Sequence, residues 1–80
     1  MPKERILIVD DEKNIVSSLT GILSDEGYEV AETGDGVEAL EIIQADPPDL
    51  VLLDIWLPGM DGIEVLKTVK AYHPEIEVLI

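Results

Sequence analysis

The stretch ILIVDDE at residues 6–12 joins four aliphatic residues directly to three acids. Because a half-exposed strand would alternate apolar and polar residues, the uninterrupted run predicts a buried strand of a parallel sheet over residues 5–9. Packing Asp10, Asp11 and Glu12 against the end of such a strand costs free energy through desolvation and mutual repulsion. A compensating positive charge is therefore expected near this strand end.

The composition indicates one small globular domain. The 80 residues are 46% hydrophobic and carry a formal charge of −13. The hydrophobic content argues against disorder, and the acidic balance disfavours direct contact with nucleic acid or an anionic membrane while suiting cations or a basic partner. The absence of cysteine excludes disulfides and thiolate chemistry. No apolar run has the length of a signal peptide or a membrane span, so a cytoplasmic location is expected.

Helical and strand patterns alternate after the first strand. A first helix is predicted to end at Gly27, with a second strand over residues 28–33. A second helix is predicted to begin at Asp35, as the N-cap, with Glu38 completing a capping box. The apolar positions predicted to face the core are Ile15, Leu19, Ile22 and Leu23 in the first helix and Val37, Leu40 and Ile43 in the second.

The second half of the chain continues the alternation. A third buried strand over residues 50–53 ends in Asp54, and LPGMDG at residues 57–62 is typical of a turn. A third helix is predicted from about Asp61, with a fourth strand over residues 77–80. The apolar positions of this third helix are Ile63, Leu66 and Val69.

This order predicts a parallel sheet with helices on both faces, in which ligands bind beyond the carboxyl ends of the strands. If the first and third strands are neighbours, Asp10, Asp11 and Asp54 converge on that edge. Three carboxylates suit a hard divalent cation such as Mg²⁺, and a carboxylate beside such a metal can accept a phosphoryl group. The alternative is that Asp10 and Asp54 only cap the helices that follow them.

Three motifs carry a resemblance to a known family: VDDE at 9–12, TGDGVEAL at 33–40 and LLDIWLPGMDG at 52–62. Over its whole length the chain resembles the receiver domain of bacterial two-component response regulators. The resemblance implies a flavodoxin-like α/β fold with strand order 2-1-3-4-5. About four strands and three helices of it would be present here, so residues 1–80 are expected to be the N-terminal part of a receiver domain, with no second domain.

The same resemblance implies roles for individual residues. Asp54 matches the phosphoacceptor that takes a phosphoryl group from a sensor histidine kinase, Asp11 the direct Mg²⁺ ligand, and Asp10 the acid that holds the metal largely through water. The backbone carbonyl of Trp56 matches a third protein ligand. The family implies a signalling switch that assists its own phosphorylation rather than an enzyme, acting on an output domain such as a DNA-binding domain or an ATPase, often in transcription regulation.

Two residues of the family pattern have no counterpart in the sequence. Receivers carry a Ser or Thr after the fourth strand and a Lys after the fifth, and Lys67 and Lys70, in the predicted third helix, do not replace the latter. We expect the fourth strand to be an apolar sheet edge that promotes self-association, and the phosphorylation-driven switch to be incomplete in these 80 residues.

Two other functions fit parts of the pattern. GDGVEA at 34–39 matches the dinucleotide-binding fingerprint through Gly34, Gly36 and Ala39. However, Asp35 and Glu38 would lie beside the pyrophosphate with no basic residue near, and Asp10 and Asp11 would have no role. The other alternative is a receiver-like interaction module that never takes phosphate.

Overall fold

The computed structural model of the chain describes residues 4–57 and 61–80, so the predicted turn at 57–62 lies partly outside the described residues. Strands and helices alternate within those ranges. They are β1 (Arg5–Val9), α1 (Lys13–Asp25), β2 (Glu29–Thr33), α2 (Gly36–Ala45), β3 (Leu50–Leu53), α3 (Gly62–Tyr72) and β4 (Glu77–Leu79). The described helices include none of the length and apolarity needed to cross a bilayer.

The described strands form a parallel sheet in the order β2-β1-β3-β4. Val9 pairs with Thr33 on one side and Leu53 on the other, so the three strands end level with one another. The next residues continue the ladder: the amide of Asp10 donates to the carbonyl of Thr33 (3.0 Å) and that of Asp54 to the carbonyl of Val9 (2.8 Å). The predicted flavodoxin-like α/β fold is confirmed, and so is the adjacency of the first and third strands.

The hydrophobic core is divided between the two faces of the sheet. Because strand side chains alternate, β1 supplies Leu7 and Val9 to one face and Ile6 and Ile8 to the other. Under α2 and α3 the buried cluster is large: Leu7, Val9, Ala39, Ile43, Val51, Leu53, Leu57, Val65, Val69 and Ile76. Under α1 the fully buried residues are Ile6, Ile8 and Val16, with half-buried residues around them.

The buried face of α1 differs from the predicted one. Val16 is its buried residue and Leu19 and Leu23 are half-buried, whereas Ile15 and Ile22 are 44% and 60% exposed. The helix packs mainly against β2 and the strands beside it. The line of contact therefore runs through Val16, Leu19 and Leu23, and both isoleucines lie on one side of it, further around the helix.

The first apolar residues of α2 and α3 were also predicted wrongly. Val37 and Ile63 are exposed, while Ala39 and Val65 are fully buried. In α2 the buried line runs through Ala39 and Ile43, in α3 through Val65 and Val69, each pair one helical turn apart. A residue two positions before such a line lies on the opposite side of the helix, since each residue turns the helix by about 100°.

The end of α1 explains where β2 begins. Gly27 has φ +95°, its amide donates to Ser24 (3.0 Å), and the amide of Tyr28 donates to Leu23 (3.1 Å). These are the two hydrogen bonds of a Schellman cap, so the predicted role of Gly27 is confirmed. Since the amide of Tyr28 completes this cap, β2 starts at Glu29, one residue later than predicted.

Candidate metal centre

Three carboxylates meet at the carboxyl edge of the sheet, as predicted from the sequence. One oxygen from each of Asp10, Asp11 and Asp54 lies within 4.8 Å of the other two. Asp10 and Asp54 are half-buried and Asp11 is exposed. Over residues 4–57 and 61–80, this is the one group of three such side chains close enough to share an ion.

Backbone amides orient two of these carboxylates. Oδ1 of Asp10 accepts a hydrogen bond from the amide of Glu12, and Oδ1 of Asp54 accepts one from the amide of Trp56, both at 2.9 Å. Each of these aspartate side chains thus accepts the amide two residues further along the chain and forms an Asx turn. Neither caps a helix, since the N-caps of α1 and α3 are Glu12 and Asp61. The alternative role as helix caps is therefore wrong for both.

No cation of the described residues compensates the three acids. The ion pairs within those ranges join Arg5 to Glu29 and Asp46, and His73 to Glu75. Two like unit charges 4 Å apart repel by about 1 kcal/mol in bulk water and by about 4 kcal/mol at the effective dielectric near a protein surface. The fold therefore holds an uncompensated negative cluster on an ordered backbone.

The donor set fits a hard divalent cation. Carboxylate oxygens are the protein ligands that Mg²⁺ and Ca²⁺ prefer, and Mg²⁺ is commonly held by one or two of them with several waters. The exposed Asp11 leaves the cluster open on the solvent side, where such waters fit. Trp56 is 83% exposed, and its backbone amide donates to the carboxylate of Asp54. Its backbone carbonyl stays a predicted ligand.

Gly62 brings α3 against the backbone that follows Asp54, a feature that the sequence did not reveal. The amide of Gly62 donates to the carbonyl of Ile55 (3.2 Å). A Cβ atom at Gly62 would lie 2.3 Å from Cα of Ile55 and 2.7 Å from the carbonyl oxygen of Asp54. Asp61 starts the helix by accepting the amide of Ile63 at 2.9 Å. The sequence predicts a turn and a helix start at the Asp-Gly pair but not this backbone contact, which requires a glycine at position 62.

Thr33 is a second feature that sequence reasoning missed. Its hydroxyl accepts the amide of Asp35 (3.2 Å) and donates to Oε1 of Glu38 (2.5 Å). The predicted capping box is therefore wrong in its second half: Asp35 caps α2 through the amide of Val37 (3.2 Å), but Glu38 binds Thr33 instead of the amide of Asp35. The threonine hydroxyl accepts the amide of the N-cap residue, which the glutamate side chain accepts in a capping box.

An open groove runs from the acidic cluster between α1 and β2. Its volume is about 700 Å³. Within it the hydroxyl of Thr20 donates to Oε2 of Glu32 at 2.8 Å, which ties α1 to β2. The lining residues are Asp10, Asp11, Lys13, Val16, Ser17, Thr20, Glu32, Thr33 and Gly34.

Gly34, the first glycine of the dinucleotide-like motif, packs against the acidic cluster instead. A Cβ atom at Gly34 would lie 3.3 Å from Cα of Asp11, so this turn packs directly on the aspartate backbone. At the start of α2, the carboxylate of Asp35 already accepts the amide of Val37. The helix N-terminus that a pyrophosphate would need is thus occupied by an acid of the chain itself.

Comparison with known proteins agrees with this geometry. The family model described as the response regulator receiver domain matches residues 6–80. Sporulation initiation phosphotransferase F of Bacillus subtilis is 46% identical over 80 residues, all of this chain and 64% of that protein. The DNA-binding response regulator MtrA of Mycobacterium tuberculosis is 46% identical over 69 residues, 86% of this chain and 30% of that protein.

Solved structures agree as well. The response regulator TrrA of Thermotoga maritima, crystallised in complex with Mg²⁺ and BeF, aligns with a TM-score of 0.88 and 40% identity, over 94% of this chain and 65% of that one. TrrA in complex with the histidine kinase ThkA gives a TM-score of 0.86 over the same shares. The chain spans less than two thirds of each of these relatives. The matched family model and these identities show that the chain belongs to the response regulator receiver domain family.

Proposed function

We propose that the chain is the phosphoacceptor part of a two-component response regulator, and that Asp54 takes a phosphoryl group from a phosphohistidine of a sensor histidine kinase. The convergence of Asp10, Asp11 and Asp54 within 4.8 Å carries the proposal. In this role the protein is a signalling switch that assists its own phosphorylation. A cytoplasmic location and a longer receiver, of which residues 1–80 are the N-terminal part, belong to the same proposal.

The two oxygens of Asp54 have different surroundings. Oδ1 accepts the amide of Trp56, which fixes the rotation of the carboxylate. Oδ2 accepts no hydrogen bond from residues 4–57 and 61–80, so we assign it as the nucleophile. It attacks phosphorus, a P–O bond forms as the P–N bond of the phosphohistidine breaks, and the imidazole leaves with the electron pair and is reprotonated. The fixed carboxylate contributes orientation to the transfer.

Asp10, Asp11, Asp54 and the backbone carbonyl of Trp56 would hold Mg²⁺ in this function. When bound, the metal supplies positive charge that offsets the charge on the transferring phosphoryl oxygens. The repulsion among the three unpaired carboxylates supports this assignment, because binding a cation relieves it. The crystallisation of the similar TrrA with Mg²⁺ and BeF also supports it.

Labelling with a small phosphodonor tests the phosphoacceptor. With acetyl phosphate and Mg²⁺, we expect intact-mass measurement to find one added phosphoryl group on the wild-type chain and none on Asp54→Asn. Asp35→Asn is the matched control: it changes an acid of the neighbouring turn, and asparagine caps a helix as well as aspartate does. Labelling that persists in Asp54→Asn would refute the assignment of the phosphoacceptor.

A titration of Mg²⁺ followed by the fluorescence of Trp56, the one tryptophan of the chain, tests the metal site. We expect a saturable change that Asp11→Asn abolishes. A receiver-like module that never takes phosphate is the alternative that the phosphodonor experiment distinguishes. Mg²⁺ binding without any labelling by the phosphodonor would select that candidate.

Partners follow from the same proposal. The similar TrrA was crystallised with a histidine kinase, which supports a sensor kinase as the phosphodonor. The similar MtrA is a DNA-binding response regulator, which supports an output domain that regulates transcription; an ATPase output is the other possibility that the family offers. The acidic receiver itself, with its formal charge of −13, would make no direct contact with nucleic acid.

Self-association through β4 is a further part of the proposal. Among the strands that the structure describes, this one lies at an edge of the sheet, and Leu79 and Ile80 are 56% and 73% exposed. Unpaired backbone groups beside apolar side chains favour pairing with a second copy. We expect the 80-residue chain to sediment above the monomer mass and Leu79→Lys to shift it towards the monomer. A wild-type chain that sediments as a monomer at all concentrations would contradict this.

A further inference from the structure

We propose that Thr33 is a positioning residue for the metal centre: its backbone carbonyl fixes the Asp10–Asp11 segment, and its hydroxyl bond to Glu38 fixes Thr33 itself. The inference rests on the proposed function, because it concerns the same metal site. In this proposal Thr33 does not contact the metal ion itself. It acts through the aspartates, from the end of β2, the strand beside β1.

The side chain of Thr33 is held from two directions. It is 6% exposed, which makes it a buried polar side chain of the described core. A hydroxyl has one proton to donate, and the distance of 2.5 Å assigns it to the carboxylate of Glu38. The oxygen also accepts the amide of Asp35 at 3.2 Å. A hydrogen bond from a hydroxyl to a carboxylate is short and roughly twice as strong as one between neutral groups, so the rotamer is well fixed.

The backbone of the same turn holds the two aspartates. The carbonyl of Thr33 accepts the amide of Asp10 at 3.0 Å. The next residue, Gly34, lies so close that a Cβ atom there would be 3.3 Å from Cα of Asp11 and 3.5 Å from the carbonyl oxygen of Asp10. Two consecutive residues of the β2–α2 turn therefore contact two consecutive residues of the metal centre. A rotation of the Thr33 peptide would displace both carboxylates.

Glu38 connects this contact to α2. It lies in the first turn of the helix, where the helix dipole favours an acid. Its carboxylate bonds to the threonine hydroxyl while Asp35 caps the helix through Val37. The first turn of α2 thereby affects the separation of the Asp10 and Asp11 carboxylates. The connection consists of the hydrogen bond from the Thr33 hydroxyl to Glu38 and the hydrogen bond from the Asp10 amide to the Thr33 carbonyl.

Thr33→Val removes the hydroxyl and keeps the shape of the side chain. Partners that orient metal ligands typically contribute tenfold or more to metal affinity, and we expect the dissociation constant for Mg²⁺, measured by the fluorescence of Trp56, to rise about tenfold. Thr33→Ser keeps the hydroxyl and should return the constant close to the wild-type value. Thr20→Val is the matched control: it removes another threonine-to-glutamate hydrogen bond in the same groove, to Glu32, that does not hold an aspartate of the centre.

A second readout needs no metal. We expect Thr33→Val to accelerate hydrogen exchange of the Asp10 amide in metal-free protein, measured by NMR, and Thr20→Val to leave that amide unchanged. If Thr33→Val does not fold, Glu38→Gln serves instead, because it weakens the same bond without emptying the buried position, and a smaller change in the same direction is expected.

The outcomes separate the two proposals. An unchanged dissociation constant in a folded but less stable Thr33→Val, or equal effects from Thr20→Val, would overturn the role of Thr33. Faster exchange at Asp10 in a chain whose wild type binds no Mg²⁺ would support the positioning role and contradict the proposed metal site. A tenfold weaker affinity that serine restores would support both.

Discussion

The acidic residues at the two ends of the sheet differ in whether a positively charged side chain pairs with them. At the amino end, Arg5 donates to the carboxylate of Asp46 from both terminal guanidinium nitrogens, and its Nε lies 3.4 Å from the carboxylate of Glu29. The backbone amide of Arg5 donates to Oδ2 of Asp49 at 2.8 Å. At the carboxyl end, three aspartates lie together with no cation of the described residues among them.

This difference separates a structural charge cluster from a binding site. The guanidinium of Arg5 joins β1, β2 and the α2–β3 connection, so the exposed acids Glu29 and Asp46 have a positive partner within the chain. Backbone amides hold the carboxylates of Asp10 and Asp54, while Gly34 packs on the backbone of Asp10 and Asp11 and Gly62 on that of Asp54 and Ile55. Their charge is therefore available to a ligand, whereas their positions do not depend on one.

The largest expected effect comes from removing the close approach at the carboxyl end. Gly62→Ala places a Cβ atom within 2.3 Å of Ile55, so the backbone after Asp54 must move. Overpacking of this kind typically costs about 2 kcal/mol of unfolding free energy, and urea denaturation should register it together with a loss of Mg²⁺ binding. Gly21→Ala is the control: nothing lies within 4 Å of its Cβ position, and alanine favours a helix. Equal stability of the two variants would show that the contact at Gly62 is not rigid.

A second substitution is expected to stabilise the protein instead of destabilising it. Asp11→Asn removes one charge of the uncompensated cluster, and without Mg²⁺ it should raise the unfolding free energy by about 1 kcal/mol at low salt. In 1 M salt, where the screening length is about 3 Å, the gain should largely disappear. Glu41→Gln changes an exposed acid of α2 outside the cluster and controls for the overall charge of −13. A gain from Glu41→Gln as large as that from Asp11→Asn would mean that local repulsion is unimportant.

At the amino end of the sheet, removing the charge of Arg5 should destabilise the folded protein. Arg5→Gln leaves Asp46 and Glu29 without their partner, so the unfolding free energy should fall, though by less than in Gly62→Ala because the pair is partly exposed. Chemical denaturation with and without salt measures this. Lys67→Gln, a change of equal charge on the surface of α3, is the matched control. A stabilising effect of Arg5→Gln would erase the contrast between the two ends.

The smallest expected effect is a dependence on pH. The hydrogen bond from Arg5 lowers the pKa of Asp46 below the usual aspartate value. The folded state therefore binds the proton of Asp46 less readily than the unfolded state does. Its stabilising contribution is complete above the unfolded pKa of about 3.9 and is lost as the pH falls through the lower folded pKa. The stability difference between wild type and Asp46→Asn should shrink in this acidic range and stay constant near pH 7.

How far the sequence predicts this molecule depends on the distance between interacting residues. The strands follow from local patterns, and one rule for parallel sheets places Asp10, Asp11 and Asp54 at the edge where the strands end. The sheet order, which makes the first and third strands neighbours, was implied only by the resemblance to receiver domains. Local reasoning failed where two partners competed for one group, as at Glu38, whose spacing suggests a capping box although Thr33 takes its carboxylate. It also failed for Arg5 and Asp46, which lie 41 residues apart and share no motif.

The division of the core into a large and a small cluster has a consequence for the order of unfolding. The cluster under α1 has three fully buried residues, Ile6, Ile8 and Val16, of which only Val16 belongs to the helix. Few buried contacts make an element prone to open locally before the rest of a domain. We expect amides in the middle of α1 to exchange with solvent deuterium through partial openings, and those of β1 and β3 only on global unfolding. Helix α1, which borders the groove at the metal centre, would then be the first part of the protein to unfold.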